Sequence, residues 1–494
     1  MIKGARGDDS GLRSEGDPPN NTVSFDGGGI KSLVIDDEMK RHISAIQDHY
    51  FKGHEDEPFI SIHLPFYNEK NVALRILGAC LSLDYRNYEV IVVDDSTDET
   101  VETLESFKNS HGMLNLLGGG GQQVVQLEAL RPVLKIVHRR YRTGFKGGAL
   151  NEALKHMDPR AKYVVVFDAD FIPPPDILHQ FLAYFNYNNN RSLNNNRYKV
   201  IRSLFNNRKS DEESVVKAVE EWHKQREVAA VQGYQLHILN VRENWITRGI
   251  RAEYSGNYEI ERTFQQVIGS MRMIAGSVFM IEADVLKRHG WSSSLTEDWE
   301  LTLRLYEDGY KVVFTPLIQA PAEIPSTIDR LVGQRMRWAE GHTFNVKKHF
   351  LRVLGSNKLS AVEKLEFAYY VPYYFQSLLW VIGTTCWICS ELTHRYVHGW
   401  YSTMGWALFL ANFLSLPLMC LAGLYLEGSL RKDLRGVLSF IVLSHLLAPF
   451  QAYAFLKGLF ERREGEWVRT YKTGKVTDAI MRFKLRHIVR KVLP

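Results

Sequence analysis

The apolar positions change period several times along the chain. Residues 1–29 hold few of them and are rich in Gly, Asp and Asn, a composition that predicts a disordered N-terminus. Within residues 30–57, Leu33, Ile35, Met39, Ile43 and Ile46 recur at helical spacing. They predict an amphipathic helix lying on the domain or on a membrane surface. From Pro58 short apolar runs closed by polar residues alternate with helical stretches. The runs are FISIHLPFYNE (59–69), YEVIVVDDS (88–96), VLKIVHR (133–139) and KYVVVFDAD (162–170), and helices are expected over Val72–Leu83 and from Lys146 onward. Such a βαβα rhythm predicts a mostly parallel sheet with helices on both faces, spanning residues 58–350. LLGGGGQQ (116–123) and NYNNNRSLNNN (186–196) interrupt it and carry no visible chemistry.

Beyond residue 350 the pattern becomes membrane-like. After a linker, Phe367–Ser390 and Met404–Leu426 are each apolar for more than twenty residues, long enough to span a bilayer. Tyr369, Tyr370, Tyr373, Tyr374, Trp400 and Trp406 could supply interfacial belts. A third run, residues 437–460, holds Ser444, His445, Pro449, Gln451 and Lys457. If it also crossed, the basic tail at 461–494 would lie opposite the large domain, against the positive-inside tendency. Two spans followed by an interfacial helix are therefore expected, the alternative being a third span at 437–460. The polar N-terminus carries no signal-peptide pattern, so the large domain is expected on the cytoplasmic side.

Composition adds limits. The 494 residues are 45% hydrophobic and 24% charged, with a net charge of +5. Acids and bases are interspersed, and nothing points to nucleic acid. Cys386 and Cys389 form a C-x-x-C inside an apolar run with no second ligand pair, and read as buried small side chains.

Four clusters carry candidate chemistry. Asp94-Asp95 ends a Val/Ile strand, where ligands gather beyond the carboxyl edge of a parallel sheet; a capped turn would use the same residues. Asp168 and Asp170 flank one alanine at another strand end and could face one hard divalent cation, Mg²⁺ or Mn²⁺. Thr296-Glu297-Asp298 opens a helix. Thr at the N-cap with acids in the first turn suits a helix start, and Asp298 equally suits a general base. Gln334, Arg337 and Trp338 share a helix face at i, i+3 and i+4, and with Arg335 offer guanidinium groups for phosphate and a ring for sugar stacking.

In this order the motifs resemble the processive family 2 glycosyltransferases: cellulose synthases, cellulose-synthase-like mannan synthases, hyaluronan synthases and chitin synthases. The likeness covers about residues 58–475. GFKGGALN (144–151), VQGYQ (231–235), IAGSVFMIE (274–282) and EWVRTYKTGK (466–475) are similar to further segments of that family. EIPSTIDRLVGQRMRWAEG is especially like mannan-synthase sequences. The resemblance implies a Rossmann-like glycosyltransferase A domain followed by membrane and interfacial helices. It implies nucleotide-donor contacts from Asp94, Asp95, Lys146, Asp168, Gln334, Arg335, Arg337, Thr470 and Lys472. Acceptor contacts would come from Gln232, Gly276, Ser277, Glu297 and Trp338. Asp168 and Asp170 would hold the metal, and Asp298 would be the base. Trp467 and Val468 would join Thr470 and Lys472 in a gating loop.

The implied reaction is inverting transfer from a UDP-sugar or GDP-mannose to a growing β-linked polysaccharide. Single-sugar transfer to a lipid such as polyprenyl phosphate, and a non-catalytic sugar-binding subunit, are the alternatives. The family's synthases usually carry spans before the catalytic domain and another pair after the gating loop. Neither pattern occurs in these residues, so a homo-oligomer or partner subunit is an expectation for translocation.

Overall fold

The computed structural model describes residues 57–110, 114–117, 123–127, 132–189, 227–394, 414–465 and 469–477. The expected disordered N-terminus, nearly all of the 30–57 helix, most of the two inserted loops, Trp467, Val468 and the tail after 477 lie outside them.

Four apolar runs become strands: β1 (Phe59–Phe66), β2 (Tyr88–Asp94), β5 (Val133–His138) and β6 (Ala161–Val166). β3 (Leu114–Leu117) and β4 (Gln123–Leu127) lie between β2 and β5 in the chain. β7 (Val228–His237), β8 (Phe279–Glu282) and β9 (Lys311–Ala322) complete a nine-stranded sheet among the described residues. Its order is β3-β4-β5-β2-β1-β6-β8-β7-β9. The centre, β5-β2-β1-β6, is parallel. β4 runs antiparallel to β5, and β8 antiparallel to both β6 and β7. The sheet is thus mixed, where mostly parallel pairing was expected. The four residues of β8 are too few to show a period of their own.

Side chains alternate across the sheet as a pleat requires. Val90 and Val92 of β2 enter the core with α1 (Ala73–Leu81), α2 (Thr100–Ser110) and α4 (Ile177–Asn189). Ile91 and Val93 enter the opposite core with α3 (Phe145–His156). Burial on both faces is why these strands read as continuous Val/Ile runs rather than alternating ones.

After β7 a capping box closes α5 (Trp245–Ser255): the Asn244 side chain accepts from Thr247 N at 3.0 Å, and Thr247 Oγ1 answers Asn244 N at 3.1 Å. The helix opens into a π-turn (Gly256–Glu261) and resumes as α6 (Arg262–Ile268). Then come α7 (Ala283–His289), α8 (Glu297–Glu307) and α9 (Ile328–Gly355).

Following α10 (Ala361–Tyr370), the apolar run expected from Phe367 to Ser390 breaks at residues 371–374 around Pro372, and α11 (Phe375–Thr393) begins anew. Pro lacks the amide a continuous helix needs. No residue of α11 is buried, and Cys386 and Cys389 are exposed on it. Of the run expected at Met404–Leu426, residues 414–426 are described and form an apolar helix, α12 (Leu414–Leu426), while residues 404–413, with Trp400 and Trp406, lie outside the described residues. α13 (Leu430–Phe460) is the one helix among the described residues long and apolar enough to cross a membrane.

Its two faces differ. Val437, Phe440, Leu443 and Leu447 are buried, whereas Leu434, Leu438, Val442, Leu446 and Phe450 form an exposed stripe at a spacing of four. The buried face reaches α5 through small residues. A Cβ on Gly436 would fall on the Arg248 carbonyl oxygen, and one on Gly249 would lie 2.6 Å from Leu443 Cδ1. Gly436→Val should therefore force α13 off α5. A loss of about 1–3 kcal/mol is expected, read as a lower midpoint in thermal unfolding of detergent-solubilised protein.

Candidate active site

The carboxyl ends of β1, β2 and β6 face a cavity of about 300 Å³. α3 enters from one side, and its first turn carries Lys146. A Cβ on Gly147 would strike the Ser292 carbonyl oxygen, so glycine there lets α3 press against the loop before α8. Lys146 Nζ lies 2.7 Å from Asp168 Oδ1, 3.3 Å from Glu297 Oε1 and 2.8 Å from the Gly276 carbonyl oxygen. Burial opposes its charge, but Asp168, Glu297 and Asp298 together raise its pKa above the usual lysine value.

Asp298 sits in the first turn of α8, where Trp299 N donates to its Oδ1 at 2.8 Å. Gly276 adopts φ +74°, and a Cβ there would lie 2.9 Å from Asp298 Oδ2 and 3.3 Å from Lys146 Nζ. Only glycine suits both that backbone and that space. The Asp298 carboxylate, the Lys146 ammonium and the Asp168 carboxylate thus share one wall. Burial, then the neighbouring Glu297 charge, raises the Asp298 pKa to about 7, against the opposing pull of Lys146.

Asp170 is buried, and its Oδ2 accepts from Lys472 Nζ at 2.6 Å. Burial alone would raise its pKa; Lys472 outweighs that and holds it below the usual value. Lys472 belongs to a segment, 469–477, whose Arg469, Thr470 and Lys472 line the cavity. Arg469 pairs with Glu69 at 2.9 Å, Asn71 donates to Tyr471 Oη and to the Lys472 carbonyl, and Glu323 accepts from Thr473 N and Gly474 N. Thr470 and Lys472 line the cavity, as do Gln334, Arg335, Arg337 and Trp338 of α9.

Other expected residues stand behind the wall. Gln232 is fully buried, accepts from Ala275 N at 2.8 Å and donates to the Ser277 carbonyl at 2.9 Å. Ser277 Oγ accepts from Asp168 N at 2.9 Å. These two shape the turns that carry Gly276 and Asp168, and neither lines the cavity. Asp94 pairs with His138 at 2.9 Å, and that contact raises the His138 pKa. Asp95 reaches the cavity but is gripped twice by Arg139, from Nε at 2.6 Å and from Nη2. Arg335 pairs with Glu253 at 2.6 Å and lies 4.6 Å over the Trp338 ring. Thr296 does not cap α8 with its side chain; its Oγ1 accepts from Asn345 Nδ2 at 3.0 Å.

Asp168 and Asp170 are oxygen donors of the kind a hard divalent cation takes; each is paired with an ammonium, Asp168 with Lys146 and Asp170 with Lys472. No cluster of three or more His, Cys, Asp or Glu side chains suited to a metal occurs among the described residues. Sequence reasoning missed Glu69, Glu323 and Arg469, which fasten segment 469–477. It also missed the cavity positions of Tyr370, Tyr373 and Tyr374, read there as interfacial.

Two family models match the chain: Glycosyl transferase family 2 over residues 61–288 and Glycosyl transferase family group 2 over residues 208–426. The chain belongs to the family 2 glycosyltransferases. Its sheet and helices form a glycosyltransferase A-like catalytic domain. The transferase is 24% identical over 435 residues to probable glucomannan 4-beta-mannosyltransferase 10 of Arabidopsis thaliana, a match spanning 87% of this chain and 68% of the relative. It is 24% identical over 455 residues to glucomannan 4-beta-mannosyltransferase 2 of the same plant, spanning 90% and 72%. Among solved structures, a mannosyltransferase from Pyrobaculum calidifontis in complex with GDP-Man and Mn²⁺ is 17% identical. That match covers 80% of this chain and 96% of the other, with a TM-score of 0.45.

Asp298→Asn keeps the bond from Trp299 N and removes a buried charge. An Asp whose folded pKa is raised costs stability once the pH exceeds its unfolded value, fully so above about 7. The variant should therefore melt several degrees higher than wild type at pH 8, with the difference shrinking toward pH 4. As a base Asp298 must be ionised, so wild-type kcat/KM should fall about tenfold per unit as pH drops below about 7. A pH–rate profile and differential scanning calorimetry check both.

Proposed function

We propose that the enzyme transfers a sugar from a nucleotide-sugar to a growing β-linked polysaccharide with inversion at the anomeric carbon. The observation that carries this reading is the shared wall of Asp298, Lys146 and Asp168 across Gly276. It supports a base at Asp298, whose pKa is raised, beside residues suited to a diphosphate. The glucomannan 4-beta-mannosyltransferases among its relatives favour mannose as the transferred sugar, and we take GDP-mannose as its donor, with UDP-sugars next.

In this reading the donor diphosphate lies beside Asp168, within reach of the cationic groups of Lys146, Arg337 and Lys472. Asp168 and Asp170 would hold Mg²⁺ or Mn²⁺, whose bound charge offsets that of the departing nucleotide. Lys146 and Arg337 add positive charge at the same place. Asp298 Oδ2 takes the proton of the acceptor hydroxyl, which attacks opposite the leaving group, so an α-linked donor gives a β-linked product. Trp338 stacks on the acceptor ring and orients that hydroxyl. Gln334 and Thr470 border the donor, and Glu297 holds Lys146 at its post.

We further read the enzyme as membrane-bound with its catalytic domain on the cytoplasmic side. α13 supports this, with one face on α5 and an apolar stripe on the other.

Asp170→Ala should lose about 10²-fold in Mn²⁺-dependent affinity for GDP-mannose by calorimetry, and little without the ion. Incubating membranes with labelled GDP-mannose, UDP-glucose and UDP-N-acetylglucosamine should give a long β-linked product from one of them. Product confined to a single sugar on lipid would overturn the polymer reading.

A further inference from the structure

Single π-turns inside α-helices often mark functional sites, because the extra residue re-aims the side chains around it. In the turn Gly256–Glu261, the side chains of Asn257, Tyr258 and Glu261 all line the cavity. They are tied in a row. Glu261 Oε2 accepts from Asn257 Nδ2 at 2.6 Å, and Asn257 Oδ1 accepts from Arg262 Nε at 3.0 Å. Arg262 Nη1 donates to the Met273 carbonyl at 3.3 Å, and its guanidinium lies 4.7 Å over the Tyr258 ring. Both arginines at this end are therefore committed, Arg262 to this row and Arg335 to Glu253. Carboxylate oxygens of Glu253 and Glu261 and the rings of Tyr373, Tyr374 and Trp338 line the cavity beside this row, while Tyr258 is already stacked on Tyr234.

Carboxylates that accept hydroxyl hydrogens, set among aromatic faces that pack on C–H surfaces, suit a neutral polyhydroxylated ring. They suit a phosphate poorly, since like charges repel and no guanidinium at this end stands uncommitted. The same lining also holds Lys146 and Lys472, paired with Asp168 and Asp170, and Arg337. Tyr258 and Asp298 line the same cavity.

We propose that the π-turn Gly256–Glu261 forms a subsite for the acceptor sugar behind the attacking one. In it Glu261, oriented by Asn257, selects a neutral carbohydrate chain over a phosphorylated lipid. The inference rests on the transferase reading above and adds to it the residues that choose the acceptor.

The test uses the full chain in nanodiscs, the labelled donor, and either short β-linked manno-oligosaccharides or polyprenyl phosphate as acceptor. Glu261→Gln should raise KM for the oligosaccharide about tenfold or more, with donor Kd by calorimetry unmoved. Asn257→Ser, which frees Glu261 without removing it, should raise the same KM by a smaller factor and serves if the first variant fails to fold. Oligosaccharide elongation with an unchanged KM in both variants overturns the subsite and leaves the transferase reading standing. Wild-type enzyme that glycosylates polyprenyl phosphate and elongates no oligosaccharide overturns both.

Discussion

Several carboxylates drawn into one enclosed cleft drive each other apart unless a cation is built in among them. Lys146 Nζ is that cation. It touches Asp168 and Glu297 and shares the wall of Asp298. Its position depends on Gly147, which lets α3 approach the loop before α8, and on Gly276, which leaves room between ammonium and base. The hidden residues behind the wall serve the same end. Gln232 and Ser277 fix the backbone at 275–278 and at Asp168, so acids from two distant stretches of chain, Asp168 and Glu297, meet one ammonium at bonding distance.

Much of the catalytic domain could be read in advance, for physical reasons. The central strands are buried on both faces, and their runs of Val and Ile announce this. Asp94, Asp95, Asp168 and Asp170 sit at strand ends, where a parallel sheet presents ligands. What stayed hidden depends on partners far away in the chain. Nothing near Arg335 announces Glu253, 82 positions earlier. Thr296 looks like a helix cap until Asn345 claims its hydroxyl. A π-turn adds one residue to a helical period and leaves no signature in composition. Tyr370, Tyr373 and Tyr374 resemble a membrane belt by sequence, yet they pack about His342 and border the cavity.

The cavity lining mixes two kinds of surface. Lys146 and Lys472 pair with Asp168 and Asp170, while Tyr373 and Tyr374 stand with the Arg335–Glu253 pair. α9 supplies Gln334, Arg335, Arg337 and Trp338 to this lining from a single helix.

The segment 469–477 bonds Glu69, Asn71 and Asp170 across some three to four hundred positions of sequence. During synthesis the ribosome delivers these residues long after the sheet and Asp298. A nascent chain can therefore bury its sheet core before Thr470 and Lys472 join the cavity lining. By then α13 has already been made and can seat itself.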